Sequence, residues 1–415
     1  MKTKQTMTTA VSRLVLHCDM DNYFASVEEK FNPMLCTVPF AVCGDPAMRH
    51  SIVMAKNMLA KQMGIITGIP YVQAKQICPG LHYIKADHAK YLSQTKLIRT
   101  IFSKYSDSVV PYGMDEAWIN LQNKSYDDAI QIAELIRVEL KYSLGLSVSI
   151  GLSDNYIFSK LGSDFNKPGG FTVITHDNFQ EIIWPLPASN LLFVGKKREQ
   201  ILRAAGFSTI GDIARSDCDI MMRLLGKAGF DLWFYAHGDD RSFKPNTEAI
   251  GSIGNTITLP KDLTCNQDVE AVLFLLATTV CSRLKKHGLY AGTIGIGVRD
   301  CAFNKTNRQL TLACATDKAS TVFMTARDLF IRHYSWERPL RSIGIRTDKL
   351  TGMCQMTLTD VFGKETENRT MHDLAHHHTD TDEAEYSHMT LPYMRTLDDL
   401  KVRIGPIQIE PSIVH

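Results

Sequence analysis

Three carboxylates stand where this 415-residue sequence turns. Asp19 follows the short apolar run Leu14-Val15-Leu16, and Asp115-Glu116 follow Gly113 and Met114 in a bend between two β-like stretches, residues 109–110 and 117–121. If that bend lies beside the first stretch, all three carboxylates meet at one end of a sheet. Clustered carboxylates repel one another and call for a compensating cation. Mg²⁺ suits them, because it takes hard oxygen ligands and commonly binds through one or two carboxylates plus substrate phosphates. Two such ions, roughly 3.5–4 Å apart, hold the attacking and leaving oxygens of an in-line phosphoryl displacement. On spacing alone, a helix cap at Asp19 and a plain turn at Asp115-Glu116 account for the same residues.

The apolar periods predict the elements that carry these groups. Residues 14–16 read as a strand, residues 22–30 as a helix stopped by Asn32-Pro33. Residues 39–42 read as a second strand, and residues 52–63 as a strand running into a helix closed by Gly64. Residues 86–105 are helical. The stretches 109–110 and 117–121 make a hairpin. Ala129, Ile132, Ala133, Ile136 and Leu140 recur at helical spacing, and Leu146, Val148 and Ile150 alternate as in a half-buried strand. A helix over 157–165, a turn at Asn166-Lys167-Pro168-Gly169-Gly170 and a strand over 171–174 complete an α+β sheet domain with an insertion after its first helix. Pro185-Leu186-Pro187 marks a boundary. Short helices joined by glycine turns run to about residue 238. After a polar linker, residues 251–349 return to mixed structure: helices over 269–286 and 319–334, strands over 294–298 and 310–313.

At roughly 150 residues per domain the length predicts two to four domains. A hydrophobic fraction of 44% and a charged fraction of 22% are those of a globular chain. No apolar run is long enough for a membrane-spanning helix, and the N-terminus has no signal-peptide pattern. Ten cysteines fall without a CxxC spacing, which predicts free thiols in a reducing cytoplasm. The net charge of +2 hides an asymmetry. Residues 251–349 carry fourteen Lys/Arg against eight Asp/Glu, and residues 351–415 carry five against eleven. A basic domain before an acidic tail fits a polyanion partner such as nucleic acid; a solvated basic face fits it too.

The wording of the motifs adds to this. His17-Cys18-Asp19-Met20-Asp21-Asn22-Tyr23-Phe24-Ala25-Ser26-Val27-Glu28 resembles the first motif of the Y-family translesion DNA polymerases. Pro111-Tyr112-Gly113-Met114-Asp115-Glu116-Ala117-Trp118 resembles their second acidic motif. In the same order, Gly64-Ile65-Ile66-Thr67-Gly68-Ile69-Pro70 resembles the end of the fingers helix, Phe165-Asn166-Lys167-Pro168-Gly169-Gly170 the lysine-proline turn, Leu192-Phe193-Val194-Gly195-Lys196-Lys197 the thumb hairpin, and Ser252-Ile253-Gly254-Asn255-Thr256 the entry to the little finger. The resemblance spans residues 12–350 and is nearest the bacterial DNA polymerase IV branch.

The resemblance implies a multidomain right-hand fold. Residues 1–30 and 86–184 form a ferredoxin-like palm, residues 31–85 small fingers, and residues 185–245 a helical thumb with a helix-hairpin-helix. Residues 251–349 form an α/β little finger, and residues 350–415 an acidic, partly disordered tail, with residues 364–389 its disordered middle. It implies low-fidelity, template-directed DNA synthesis past damage, with two Mg²⁺ ions, primer-template DNA and deoxynucleoside triphosphates, by a monomer in a cytoplasm of bacterial, phage or plasmid origin. Asp19 and Asp115 become shared metal ligands, Glu116 completes the primer-side site, and Met20 adds its carbonyl; Asp21 is not a ligand. Phe24 becomes the ring that excludes a ribose 2′-hydroxyl, although its spacing also suits a core ring, with Tyr23 beneath the sugar. Lys167 reaches the triphosphate. Gly195, Lys196 and Lys197 grip a DNA phosphate.

The sequence departs from the family pattern at three places. Gly113 replaces a common serine. Met58 and Lys61 stand where relatives present Tyr and Arg to the triphosphate, so a hydroxyl and a bidentate fork are lost. Lys56, read as part of the same helix, is a substitute cation or a solvated face. In the tail, residues 355–362 form a degenerate sliding-clamp peptide with Val361 and Phe362 as its pocket residues; a last strand or linker is the alternative. His376-His377-His378 reads as a polar run rather than a metal site. The sequence shows no second carboxylate cluster for a proofreading nuclease. The rival classes are a nucleotide cyclase, which would lack the thumb hairpin and basic domain, and an inactive DNA-binding relative, which would lack a carboxylate.

Overall fold

The computed structural model describes residues 13–46, 48–49, 51–243, 245, 250–352 and 400–401. The chain divides into two units, Met1–Thr247 and Glu248–His415.

The first unit is organised by β1 (Arg13–Met20), which passes directly into α1 (Tyr23–Phe31). An excursion follows: β2 (Phe40–Cys43), β3 (Val53–Lys56), α2 (Met58–Gln62), α3 (Tyr71–Ile77) and β4 (His82–Lys85). Its strands form a separate sheet in the order β3-β2-β4. That sheet has its own small core, including Ala41, Val53, Ala60, Ile65 and Leu81. Then come α4 (His88–Phe102), β5 (Val109–Tyr112), β6 (Glu116–Gln122), α5 (Tyr126–Glu139), β7 (Val148–Ser153), α6 (Tyr156–Ser163) and β8 (Phe171–Val173). The main sheet has the order β5-β6-β1-β7-β8, with β1 antiparallel to both neighbours.

The two-residue period of β1 divides its side chains between two layers. Leu14, Leu16, Cys18 and Met20 enter a core shared with α1, α4 and α5. Val15, His17 and Asp19 lie on the other face, where α6 packs. With helices over both faces, β7 is buried along its whole length, rather than alternating as its sequence predicts. Gly151 and Gly162 allow α6 to approach: a Cβ at Gly151 would lie 2.0 Å from the Ser159 carbonyl oxygen.

Beyond the main sheet come α7 (Phe179–Ile183) and, after a longer connection, α8 (Lys196–Ala204), α9 (Ile210–Arg215), α10 (Cys218–Leu225) and α11 (Lys227–Ala236), the last four joined by short turns. A capping box of Thr209 and Asp212 starts α9. Phe158, Phe179 and Ile183 share one core with Ile210, Met221 and Leu232, so residues on both sides of Pro185 pack together.

The second unit has β9 (Ile253–Leu263), α12 (Asn266–Lys286), β10 (Tyr290–Asp300), β11 (Lys305–Thr316), α13 (Ala319–His333) and β12 (Leu340–Thr351). Its antiparallel sheet runs β11-β10-β12-β9. Ile257, Leu259, Ile294, Ile296, Ile343 and Ile345 pack with α12 and α13. Leu400, far into the acidic tail, is buried in the same core. The register places Gly295, Gly297, Arg299, Lys305 and Arg346 on the opposite face. β9, an edge strand, and β12, the inner strand beside it, are absent from the sequence reading. Their apolar residues are interrupted by Gly, Asn, Pro and Arg, which mute the alternation.

Among the described residues no helix is long and apolar enough to cross a membrane. Val361, Phe362, the disordered middle expected at 364–389 and the histidine run all lie outside the described residues.

Candidate active site

The sheet brings the three carboxylates to one edge. Asp19, near the end of β1, lies directly opposite Glu116, the first residue of β6. The Met20 amide donates to the Asp115 carbonyl at 3.0 Å, fastening the hairpin bend to the strand end. Gly113 shapes that bend with φ of +82°, where a side chain would be strained. α4 holds it from outside: Arg99 donates to the Gly113 carbonyl at 2.9 Å and Thr95 to the Met114 carbonyl at 2.8 Å.

Two lysines supply the counter-charge. Lys167 Nζ lies 2.8 Å from Asp19 and 2.8 Å from Asp164. Lys160, on α6, pairs with Glu116 and lies 4.0 Å from Asp19. His17 Nε2 sits 3.2 Å from Glu116 Oε2. Its other ring nitrogen is 2.8 Å from Ser163 Oγ. The charges respond accordingly. Burial first, then the neighbouring Glu116, raises the Asp19 carboxyl to about 7, against the pull of Lys167. Burial and Glu116 also raise Asp115. Glu116 falls to about 2: burial opposes its charge, but His17 and Lys160 together prevail. Burial lowers His17 to about 4, so the imidazole is neutral at pH 7.

Among the described residues, no three His, Cys, Asp or Glu side chains stand preassembled around one ion. The donors at this edge are nevertheless all oxygens, and two of the carboxylates carry more negative charge than their surroundings favour. That donor set fits a hard divalent cation and not a soft one. Asp21 stands apart from it. Its carboxylate accepts from Ser147 Oγ and Ser149 Oγ at 2.7 Å each and from the Gly169 amide at 2.8 Å, which occupies it in tying β1 to the lysine-proline turn.

Tyr23 and Phe24 open α1. Tyr23 is buried, its hydroxyl donating to the Tyr91 carbonyl at 2.7 Å. Phe24 is half-buried beside it and stacks on the Tyr91 ring. Met58 begins α2, which Asn57 caps by accepting from the Ala60 amide. Met58 is exposed, and the Asn22 amide reaches its sulfur at 3.7 Å, so the start of α2 lies against the start of α1. Lys61 is exposed one turn on. Lys56 is the last residue of β3, not a helix residue, and its ammonium bonds Thr67 Oγ1 at 3.0 Å. Gly195 caps α8 with open space where a Cβ would stand, and Lys196 and Lys197 are exposed in its first turn. Sequence reasoning missed Lys160, Arg99 and Thr95. Lys160 carries a weak signal, two helical turns before Lys167; the other two act through hydrogen bonds to carbonyls, which leave no pattern.

Residues 18–164 match the model of the impB/mucB/samB family, and residues 251–358 match that of the family's C-terminal domain. The chain is 38% identical over 357 residues to DNA polymerase IV of Acetivibrio thermocellus, covering 85% of this chain and 90% of that protein. It is 32% identical over 338 residues to DNA polymerase IV 1 of Bacillus subtilis, covering 80% of this chain and 81% of that protein. In fold it matches a solved Y-family DNA polymerase chimera of Dbh and Dpo4, with a TM-score of 0.74 at 22% identity over 81% of this chain and 98% of the other. The chain therefore belongs to the impB/mucB/samB family, among the Y-family proteins that resemble DNA polymerase IV.

Proposed function

We propose that this chain is a template-directed, low-fidelity DNA polymerase that extends a primer 3′ end past damaged template positions. One observation carries the reading: Asp19 and Glu116 face each other across two strands, with Asp115 fastened to the same strand end. The reaction joins the primer hydroxyl to the α-phosphorus of a deoxynucleoside triphosphate and releases pyrophosphate. Asp19, Asp115, Glu116 and the Met20 carbonyl are the groups that would hold two Mg²⁺ ions. Bound there, Mg²⁺ supplies Lewis-acid activation of the hydroxyl and neutralises the triphosphate. Lys167 and Lys61 contribute point charges to the triphosphate, and Met58 lies against it without a hydroxyl to donate. Phe24 excludes a ribose 2′-hydroxyl, with Tyr23 flooring the sugar pocket.

In this reading the main sheet with α1 and α4–α6 is the palm, and the β2–β4 excursion is the fingers. The helices from α8 to α11 are the thumb, and the second unit is the little finger. Gly195, Lys196 and Lys197 contact a phosphate without reading sequence, as do the cations on the open sheet face of the second unit. Val361 and Phe362 bind a sliding clamp, which raises the effective concentration of a monomeric enzyme at the primer end. The setting is a bacterial, phage or plasmid-bearing cytoplasm. The experiment is primer extension with Mg²⁺ on undamaged and abasic templates. Extension past the lesion is the expected result; extension that halts one nucleotide before it refutes the translesion role while leaving polymerisation intact.

A further inference from the structure

A ring that excludes a hydroxyl by contact works only if it cannot retreat. Phe24 sits in the first turn of α1 and is half-buried, so packing on its inner side decides how far it yields. Tyr91 supplies that packing. The two rings are parallel within 13° with centroids 4.3 Å apart. Tyr91 is wholly buried, and its position is fixed at both ends. Its hydroxyl donates to Glu28 Oε1 at 2.7 Å, and its carbonyl accepts from Tyr23. Glu28, one turn after Phe24 on α1, is buried and held by Lys90 at 3.0 and 2.8 Å. His88 meets the Phe24 ring edge-on, with centroids 6.0 Å apart at 88°. The gate ring is therefore backed by an aromatic plate on α4 that is itself anchored to α1 through a buried carboxylate.

We infer that Tyr91 is a positioning residue for sugar discrimination, holding Phe24 rigid against the space a 2′-hydroxyl would enter. The inference rests on the reading of Phe24 as the gate. Leucine at position 91 fills volume but offers no flat face, so the gate ring gains freedom to tilt. Phenylalanine keeps the plate and loses only the anchor to Glu28. The deoxynucleotide does not press on the ring, so its incorporation is largely spared.

The test is single-nucleotide incorporation by the full-length chain, comparing kcat/KM for matched deoxy- and ribonucleoside triphosphates. Tyr91→Leu should raise ribonucleotide kcat/KM about tenfold, mostly through KM, with deoxynucleotide kcat/KM within about threefold of wild type, the scale of an aromatic stack. Tyr91→Phe should restore discrimination to within about twofold, since the stack remains. Adding Tyr91→Leu to Phe24→Ala should give no further rise, because the plate then has nothing to hold. Wild-type discrimination in Tyr91→Leu, with discrimination lost in Phe24→Ala, overturns the inference and leaves the gate in place. Wild-type discrimination in Phe24→Ala refutes the gate itself and the inference with it. Should Tyr91→Leu fail to fold by thermal melting, Tyr91→Met takes its place, filling the volume without a flat face: a rise of several-fold supports the inference and no change overturns it.

Discussion

The acidic edge of the first unit and the open sheet face of the second are built in opposite ways. At the acidic edge nearly every side chain has an assigned partner: Lys167 for Asp19, Lys160 for Glu116, and three donors for Asp21. The backbone of the bend is held as well, by Arg99 and Thr95. On the second unit the cations share one sheet face with Gly295 and Gly297. Arg346 turns back to the neighbouring Asp348. On the proposed reading, the difference follows from what each surface would do. Chemistry needs groups fixed before the substrate arrives, since orientation and preorganised charge supply most of the rate. Gripping phosphates needs only charge, which acts through counterion release and tolerates mobility.

Substitutions separate the two surfaces, the largest effect first. Asp19→Ala or Glu116→Ala should lower the rate of nucleotide addition by about a thousandfold or more, as loss of a metal-holding carboxylate does. Gel-shift affinity for primer-template should stay within a few-fold. A rate within tenfold of wild type would place the chemistry elsewhere. Next, Phe24→Ala should raise ribonucleotide incorporation about a hundredfold, read as the ratio of kcat/KM values. If it does not, Phe24 is only a core ring.

On the second unit, neutralising Arg299, Lys305 and Arg346 together to Gln should weaken DNA binding about tenfold and reduce the slope of log affinity against log salt by about 2–3. The turnover of bound complexes should not change. An unchanged slope would show that this face is merely solvated. Smaller still, Lys61→Arg should lower the KM for deoxynucleotides about threefold by restoring a bidentate fork. The smallest effect on basal synthesis should come from changing Val361 and Phe362 together to Ala. Distributive extension should persist while stimulation by a cognate clamp disappears. Clamp stimulation that survives would place the tether at another segment.

The sequence carried the edge more fully than its supports. Asp19, Asp115 and Glu116 could be placed together because strand ends and a hairpin bend are written in short local patterns, and their motif wording added roles. The order of elements in the main sheet was legible for the same reason, because its strands and helices have strong periods, whereas α3, β4 and α7 were not read. Lys160 was missed because its partnership with Glu116 depends on how closely α6 packs on β7. That approach is set by Gly151 and Gly162, which look unremarkable in sequence. Tyr91 was missed because it is nearly seventy residues from the ring it supports. β9 and β12 were lost for a different reason. Gly254, Asn255 and Pro260 break the first, while Arg341 and Arg346 break the second, so the sheet is held by register with neighbours rather than by local preference. Lys56 was placed on the following helix because the strand before it is only four residues long.

The central claim is that the acidic edge performs template-directed DNA synthesis. Its most direct test is single-nucleotide addition to a primer on four templates that differ only in the next base. Each deoxynucleoside triphosphate is offered alone, with Mg²⁺ or with a chelator. The expected result is preferential addition of the complementary nucleotide on each template, abolished by chelation and by Asp115→Ala while DNA affinity is retained. Addition that ignores the templating base, or that continues at the wild-type rate in Asp115→Ala, would contradict it.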